Sequence, residues 1–157
     1  MKKRGGLFLK ALVSFIILSI IVIVVSLYIL DKINLIIGFA FLGLGIISLI
    51  FLKIFKIKIN SIYPDIIFGL IDNGVLVFAA VLGGYFAGVI GAIIGGVAGN
   101  TITDGAGGLF EGRFAEKQRK KNIKTDRTAL SASLGKMTGC LFGAGIGLII
   151  LWLINLI

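Results

Sequence analysis

The sequence has no histidine, a single cysteine and a single proline among its 157 residues. A disulfide within the chain is excluded, because Cys140 is the only cysteine. The lack of histidine excludes Ser-His and Cys-His catalytic pairs, and it argues against a zinc, copper or haem site. A bound metal is therefore expected to be a hard cation held by oxygen atoms. With no nucleophile–base pair visible, neither an enzyme nor a resident cofactor is expected.

Acidic residues are also scarce, with 7 against 16 lysines and arginines, whereas apolar residues make up 58% of the chain. The mean hydropathy is +1.11. Soluble domains have about 45–50% apolar residues, and the apolar runs here exceed the roughly 18 residues that mark a membrane-spanning helix. The 23 glycines lie largely inside these runs, which favours close helix packing over disorder. The predicted fold class is an all-α integral membrane protein.

Five transmembrane helices are predicted, at about 7–30, 33–54, 66–82, 85–109 and 134–153. The apolar run after the basic start Met1–Arg4 is too long for a signal peptide and has no small-residue cleavage site. We therefore interpret it as a signal anchor. Tight turns are expected at Asp31–Lys32 and Gly83–Gly84, and longer connections are expected at 60–65 and 111–133.

Lysine and arginine alternate between the connections. The start, the second connection and the fourth are basic, whereas the first has one lysine and the third and the C-terminal tail have none. This pattern predicts a cytoplasmic N-terminus and a C-terminus outside. Because no mitochondrial presequence is present, we expect a multi-pass protein of a prokaryotic cell membrane. Anionic lipids are the expected partners of the basic fourth connection, and nucleic-acid binding, which a pI of 9.9 could suggest, is the weaker alternative.

Two glycine ladders repeat every four residues. Such ladders let helix backbones approach closely, so that dispersion supplies the association that hydrophobicity cannot supply in lipid. We predict a glycine-zipper-packed core of helices three to five within a domain at 59–157, preceded by a two-helix anchor at 1–58. The glycine faces also favour a homodimer. The ladders consist of Gly91, Gly95 and Gly99 in the fourth helix and Gly135, Gly139, Gly143 and Gly147 in the fifth.

Two carboxylates lie inside the predicted spans. Asp72 lies about six residues into the third span, roughly 9 Å at 1.5 Å per residue. Asp104 lies about five residues from the cytoplasmic end of the fourth span. Since these two helices are antiparallel, both carboxylates are expected at a similar depth in the inner half of the membrane. Asn100 lies four residues before Asp104 and therefore shares its helix face.

Charge inside a bilayer is costly, and three interpretations account for it here. In the structural interpretation, the carboxylates are protonated, hydrogen-bonded between helices or paired with Lys136. A proton relay would need a chain of titrating groups, which the sequence does not show. In the third interpretation, carboxylate and amide oxygens form a site for a hard cation such as Ca²⁺. Its ligands would be Asp72, Asn73, Asn100 and Asp104, with Thr101, Thr103 and Glu111 as possible further ligands or as a vestibule.

Charge counting suggests exchange. A site of charge −2 is balanced by one Ca²⁺ or by two Na⁺, and an empty site would carry unpaired charge through the membrane. A site that reorients only when loaded is an exchanger, so we expect Na⁺/Ca²⁺ exchange with Asp72 and Asp104 carrying the charge. The alternatives are transport of Mg²⁺ or another divalent cation, and a non-transporting scaffold assembled through the glycine ladders.

Three short motifs follow one another in the second half of the chain. They are Pro64-x-x-x-Phe68-Gly69-x-x-Asp72-Asn73, Gly99-Asn100-x-x-x-Asp104-x-x-Gly107 and Gly139-Cys140-x-x-Gly143. In order and spacing they resemble the transmembrane protein 65 family, and the resemblance covers about Pro64 to the C-terminus. That family is associated with sodium-dependent calcium export from mitochondria. The resemblance implies a distant prokaryotic relative whose expected cation ligands are Asp72, Asn73, Asn100 and Asp104.

Overall fold

The computed structural model describes residues 2–29, 34–120, 127–155 and 157. Within these ranges the chain is helical and has no strand, which confirms the all-α class. The turn predicted at Asp31–Lys32 and the middle of the basic connection lie outside the described residues. The four helices are α1 (Lys2–Ile29), α2 (Asn34–Ile54), α3 (Ile59–Lys120) and α4 (Ala129–Leu153).

Three of these helices are long and apolar enough to cross a membrane. Their apolar segments are Leu35–Ile54, Ile59–Arg113 and Ala129–Leu153. In α1 the apolar stretch Leu12–Ser26 is shorter. The chain is therefore a membrane-associated helical protein, while the count of five spans and their orientation stay predictions.

The longest helix, α3, folds back on itself at Ala87–Gly88. Ala87 has φ −140° and ψ 22°, and Gly88 has φ +59° and ψ −145°. A positive φ of this kind favours glycine, which has no Cβ to clash with the backbone. We call residues 59–86 the first arm and residues 89–120 the second arm.

The turn predicted at Gly83–Gly84 is wrong, because both glycines are helical. A Cβ at Gly83 would overlap the carbonyl oxygen of Gly91, so Gly83 is needed where the two arms touch. A Cβ at Gly95 would likewise overlap the carbonyl oxygen of Ala79. The chain reverses instead at Gly88, one helical turn after Gly84.

The connections predicted at 60–65 and 111–133 are also wrong in extent. Since α3 begins at Ile59, Pro64 is its sixth residue, and there it removes the hydrogen bond to the carbonyl of Asn60. The second arm continues to Lys120 through a run rich in good helix formers. At the start of α4, the Ser131 N–H donates to the Thr128 hydroxyl at 3.2 Å, and the Thr128 N–H donates to the Ser131 hydroxyl at 2.7 Å. This reciprocal capping fixes the first turn of α4.

Helix α4 packs against α3 and α2, and to a smaller extent against α1. A Cβ at Gly139 would overlap the carbonyl oxygen of Ile66, and a Cβ at Gly143 would overlap that of Leu70. Backbone therefore lies directly on backbone between α4 and the first arm, as small residues permit in membrane helices.

Helix α2 meets the other side of α4 through a polar contact. The hydroxyls of Ser48 and Thr138 lie 2.6 Å apart, and both side chains are fully buried. Thr138 donates to the carbonyl of Leu134 at 2.7 Å, which leaves Ser48 as the donor between the helices. The division into a two-helix anchor and a three-helix core stays a prediction, with α2 attached to α4 by this bond.

Replacement of Gly139 by alanine tests the backbone contact. Gly139→Ala should lower the thermal unfolding midpoint in detergent, because inserting a methyl group into a packed contact costs about 1–3 kcal/mol. Gly108→Ala is the matched control, since a Cβ there would meet no atom within 4 Å. It should leave the midpoint unchanged or raise it, because alanine is up to about 1 kcal/mol better than glycine in a helix. Equal midpoints for the two variants would contradict the packing described here.

Candidate functional site

The two arms of α3 are joined inside the protein by Asp72 and Thr103. Both side chains are buried, with 8% and 7% of their surface exposed. The Thr103 hydroxyl forms a hydrogen bond with Oδ1 of Asp72. It also lies 3.0 Å from the carbonyl oxygen of Gly99 and 3.1 Å from that of Asn100. The one hydroxyl thus connects the carboxylate to the backbone of the second arm.

The partner of Asp72 is an uncharged group. The Thr103 hydroxyl donates a hydrogen bond to the carboxylate without adding a charge. Among the described residues, no lysine or arginine forms an ion pair with Asp72. Within that part of the chain, the carboxylate therefore has a hydrogen-bond partner but no charged one.

Asn100 and Asp104 form a second pair on the second arm. The Asn100 amide donates to Oδ2 of Asp104 at 2.9 Å, which confirms that the two side chains share a helix face. Asn100 is half-buried, and Asp104 is exposed. An exposed carboxylate on an apolar helix is costly in lipid and calls for water, a cation or a partner.

The face of Asn100 and Asp104 continues along the second arm to a residue that contacts α4. Glu111 shares this face, two turns beyond Asp104, and its Oε1 lies 2.8 Å from the ammonium of Lys136 on α4. Four residues along α4 from Lys136, Cys140 packs on the first arm, because a Cβ at Gly69 would lie 3.2 Å from its sulfur atom.

Asn73 lies on the side of the first arm that faces α4. It follows Ile66 by seven residues, so it shares the first-arm face that packs on α4 at Gly139. Asn73 is half-buried and forms no hydrogen bond within the described part of the chain. We use the term candidate site for Asp72 and Asn73 on the first arm and Asn100 and Asp104 on the second arm.

A network of charged side chains lies near the start of α4. Lys136 pairs with Glu111 and lies 4.7 Å from the centre of the Phe68 ring. Glu111 is also 3.8 Å from Arg127. In the structure, therefore, Lys136 pairs with Glu111 rather than with Asp72 or Asp104, the pairing considered in the structural interpretation.

Asp65 anchors the network to the first arm. Arg127 donates to both of its carboxylate oxygens, from Nε at 3.1 Å and from Nη2 at 2.5 Å. The Asp65 side chain is only 2% exposed, so the bidentate pair holds a buried charge. Sequence reasoning missed this pair, because 62 residues separate the partners and spacing gives no signal at that distance.

A cavity of about 290 Å³ opens between the ends of the two arms. Thr103 contributes to its wall, so the cavity reaches the residue that bonds to Asp72. The charged network and Thr103 therefore belong to one continuous space. Its walls include Asp65, Phe68, Thr103, Gly107, Glu111 and Arg127.

The other predicted positions form either a bond within one helix or contacts between helices. The exposed Thr101 donates to the carbonyl of Val97 in its own helix at 2.8 Å. Gly91, Gly95 and Gly99 face the first arm from the second arm, and Gly135, Gly139, Gly143 and Gly147 face the first arm from α4.

The groups that could hold a cation at the candidate site are oxygen atoms, and few of them are charged. Within the described ranges, no three histidine, cysteine, aspartate or glutamate side chains come together. A cation held here would rely on Asp72 and Asp104 together with amide, hydroxyl and water oxygens. Such mixed oxygen sets suit hard cations.

Comparisons of the chain with protein-family models, with curated proteins and with solved structures give no match. The resemblance to the transmembrane protein 65 family and the assignment of Asp72, Asn73, Asn100 and Asp104 as cation ligands therefore stay predictions.

Replacement of Arg127 tests its ion pair with Asp65. Arg127→Met should lower the free energy of unfolding by about 3 kcal/mol, because it leaves the buried Asp65 carboxylate without its partner. The double variant Asp65→Asn with Arg127→Met should recover most of that loss. Arg113→Met, at an exposed position of the second arm, is the control and should have little effect. Additive losses in the double variant, measured by thermal unfolding in detergent, would contradict the pairing.

Proposed function

We propose that the chain is a secondary transporter of a hard cation in a prokaryotic cell membrane, with Na⁺/Ca²⁺ exchange as its reaction. In this proposal α1 and α2 each cross the membrane once, α3 crosses twice as its two arms, and α4 crosses once. The N-terminus then lies in the cytoplasm and the C-terminus outside, in keeping with the alternation of basic connections. The working unit is a homodimer, in which a second copy covers part of the exposed second arm.

The observation that carries this proposal is the environment of Asp72. This carboxylate is buried between the arms, has a hydroxyl partner and has no basic partner among the described residues. Structural carboxylates in membrane helices usually pair with a basic group or with backbone. The basic groups of this region instead pair with Asp65 and Glu111.

The two carboxylates have complementary roles in the proposed cycle. Asp104, with Asn100 beside it, is exposed and meets an arriving cation first. Asp72, with Thr103, is buried and removes further water from the ion. Together the carboxylates supply a charge of −2, which matches one Ca²⁺ or two Na⁺. Around the site, glycines pack directly on the backbone of the neighbouring helix. In the proposed cycle, one group of helices tilts against the other across these contacts.

One observation favours Mg²⁺ as a second candidate substrate. Asp104 is exposed, so a cation bound there keeps several water ligands. Mg²⁺ dehydrates reluctantly and is usually held by one or two carboxylates plus water. Ca²⁺ would use more of the neutral oxygens around Asp72.

Flux measurements test the proposed exchange. Purified protein in proteoliposomes should take up ⁴⁵Ca²⁺ when an outward Na⁺ gradient is imposed. Asp72→Asn and Asp104→Asn should each reduce this uptake at least about tenfold, because each removes half of the charge that balances the ion. Uptake of Mg²⁺ measured with a fluorescent indicator in the same vesicles separates the two candidate ions.

Glu116→Gln is the matched control for these variants. It removes the same charge from an exposed position of the second arm, outside the candidate site. Uptake in this variant should stay within about twofold of the wild-type rate, because an exposed surface charge contributes little. Uptake that survives in Asp72→Asn and Asp104→Asn, with the protein folded, would contradict the assignment of the site.

A further inference from the structure

The cavity between the ends of the two arms is lined mainly by apolar side chains. Ile67 and Ile71 line it from the first arm, and Ala106 and Phe110 line it from the second arm. All four are exposed, so the cavity opens onto the outer surface of α3. Its volume of about 290 Å³ is at the lower end of the range for small-ligand sites, about 300–1,000 Å³. The cavity therefore suits a narrow apolar group.

The cavity has the depth of one membrane leaflet. Along the first arm its lining extends from Ser61 to Ile71, a separation of ten residues and about 15 Å at 1.5 Å per residue. This distance is half of the roughly 30 Å hydrocarbon core of a bilayer. Tyr63 lines the same end as Ser61, and tyrosine is enriched where a membrane meets water. If both arms cross the membrane, as proposed above, the cavity extends from the level of the lipid head groups to the depth of Thr103.

Charged groups of both signs lie at the head-group end. Arg127 donates to Asp65 from Nε and Nη2, which leaves the N–H groups of Nη1 without a partner among the described residues. Both ion pairs of Glu111 use Oε1, so Oε2 has none in that part of the chain. Asp65, Glu111, Arg127 and Lys136 together carry no net charge. The cavity thus has one cationic donor and one anionic acceptor available at its charged end.

We propose that this cavity holds one acyl chain of a phospholipid whose head group carries both a phosphate and a primary ammonium, as in phosphatidylethanolamine. The acyl chain lies between Ile67 and Phe110. The phosphate accepts from Nη1 of Arg127, and the ammonium donates to Oε2 of Glu111, so both contacts are charge-assisted hydrogen bonds. The inference rests on the proposed crossing of the membrane by the two arms and not on the transport reaction.

The head group follows from charge complementarity. A purely anionic head group would bring its phosphate close to the carboxylates of Asp65 and Glu111 without a compensating cation. A choline head group carries the cation but has no N–H to donate to Glu111. A primary ammonium supplies both the charge and the donors, as the lysine ammonium does.

Filling the cavity tests the position of the acyl chain. Purified protein in detergent is titrated with phosphatidylethanolamine, and bound lipid is counted by native mass spectrometry. Ala106→Phe should weaken binding at least about tenfold, which corresponds to displacing about two methylene groups from the protein. Ala98→Phe, at an exposed position of the second arm outside the cavity, is the matched control and should bind like the wild type. Ala106→Leu should give a smaller loss and serves as the test if Ala106→Phe does not fold.

Exchanging the head group tests the charged end. Wild-type protein should bind phosphatidylethanolamine about fivefold or more tightly than phosphatidylcholine or phosphatidylglycerol with the same acyl chains, because only the first makes both charged hydrogen bonds. Glu111→Gln should reduce its affinity to that for phosphatidylcholine and leave phosphatidylcholine binding unchanged. Glu116→Gln, which removes an exposed charge from the same arm, should keep the preference within about twofold.

Three results would overturn the proposal. Equal binding by Ala106→Phe and Ala98→Phe would place the lipid elsewhere. Tighter binding of phosphatidylglycerol would assign an anionic lipid to the basic connection instead. Loss of the dimer in Ala106→Phe, with lipid binding unchanged, would show that a second copy fills the cavity. Because every titration is done without Ca²⁺ and without a Na⁺ gradient, these results do not depend on whether the chain transports a cation.

Discussion

The contact between backbones through small residues is the constraint on which the rest of the structure depends. Gly83 and Gly95 let the two arms of α3 touch, and Gly139 and Gly143 let α4 touch the first arm. In lipid such contacts are stabilised by dispersion, which requires close and continuous packing. Because side chains are absent along these contacts, the polar groups next to them have little freedom in where they lie.

Close packing of the two arms also explains why Asp72 is buried. One turn of the first arm separates Asp72 from Leu76, which faces Gly99 on the second arm, and Thr103 follows Gly99 by one turn. The register of the two arms thus places a hydroxyl opposite the carboxylate. A shift of the arms by one residue would turn Thr103 away, so the turn at Ala87–Gly88 sets the site.

The sequence predicts the helical class, the shared helix face of Asn100 and Asp104 and the closeness of the second arm to Asp72. These features depend on local spacing or on a hairpin. It does not predict the turn at Gly88, since Gly83, Gly84 and Gly88 are equivalent by residue type and only packing distinguishes them. It also misses the pair between Asp65 and Arg127, whose partners lie 62 residues apart, one near the start of α3 and the other just before α4.

The carboxylates of this region fall into two groups that the fold treats differently. Asp65 and Glu111, near the start of α4, have basic partners at 2.5 Å and 2.8 Å. Asp72 and Asp104 have only a hydroxyl and an amide as side-chain partners among the described residues. The chain carries 16 lysines and arginines, so basic residues are not scarce. A fold that needed Asp72 and Asp104 only for stability would gain by pairing them, because unpaired charge in a membrane is costly. Their neutral partners leave the charge available, which is the property that a site for a mobile cation requires.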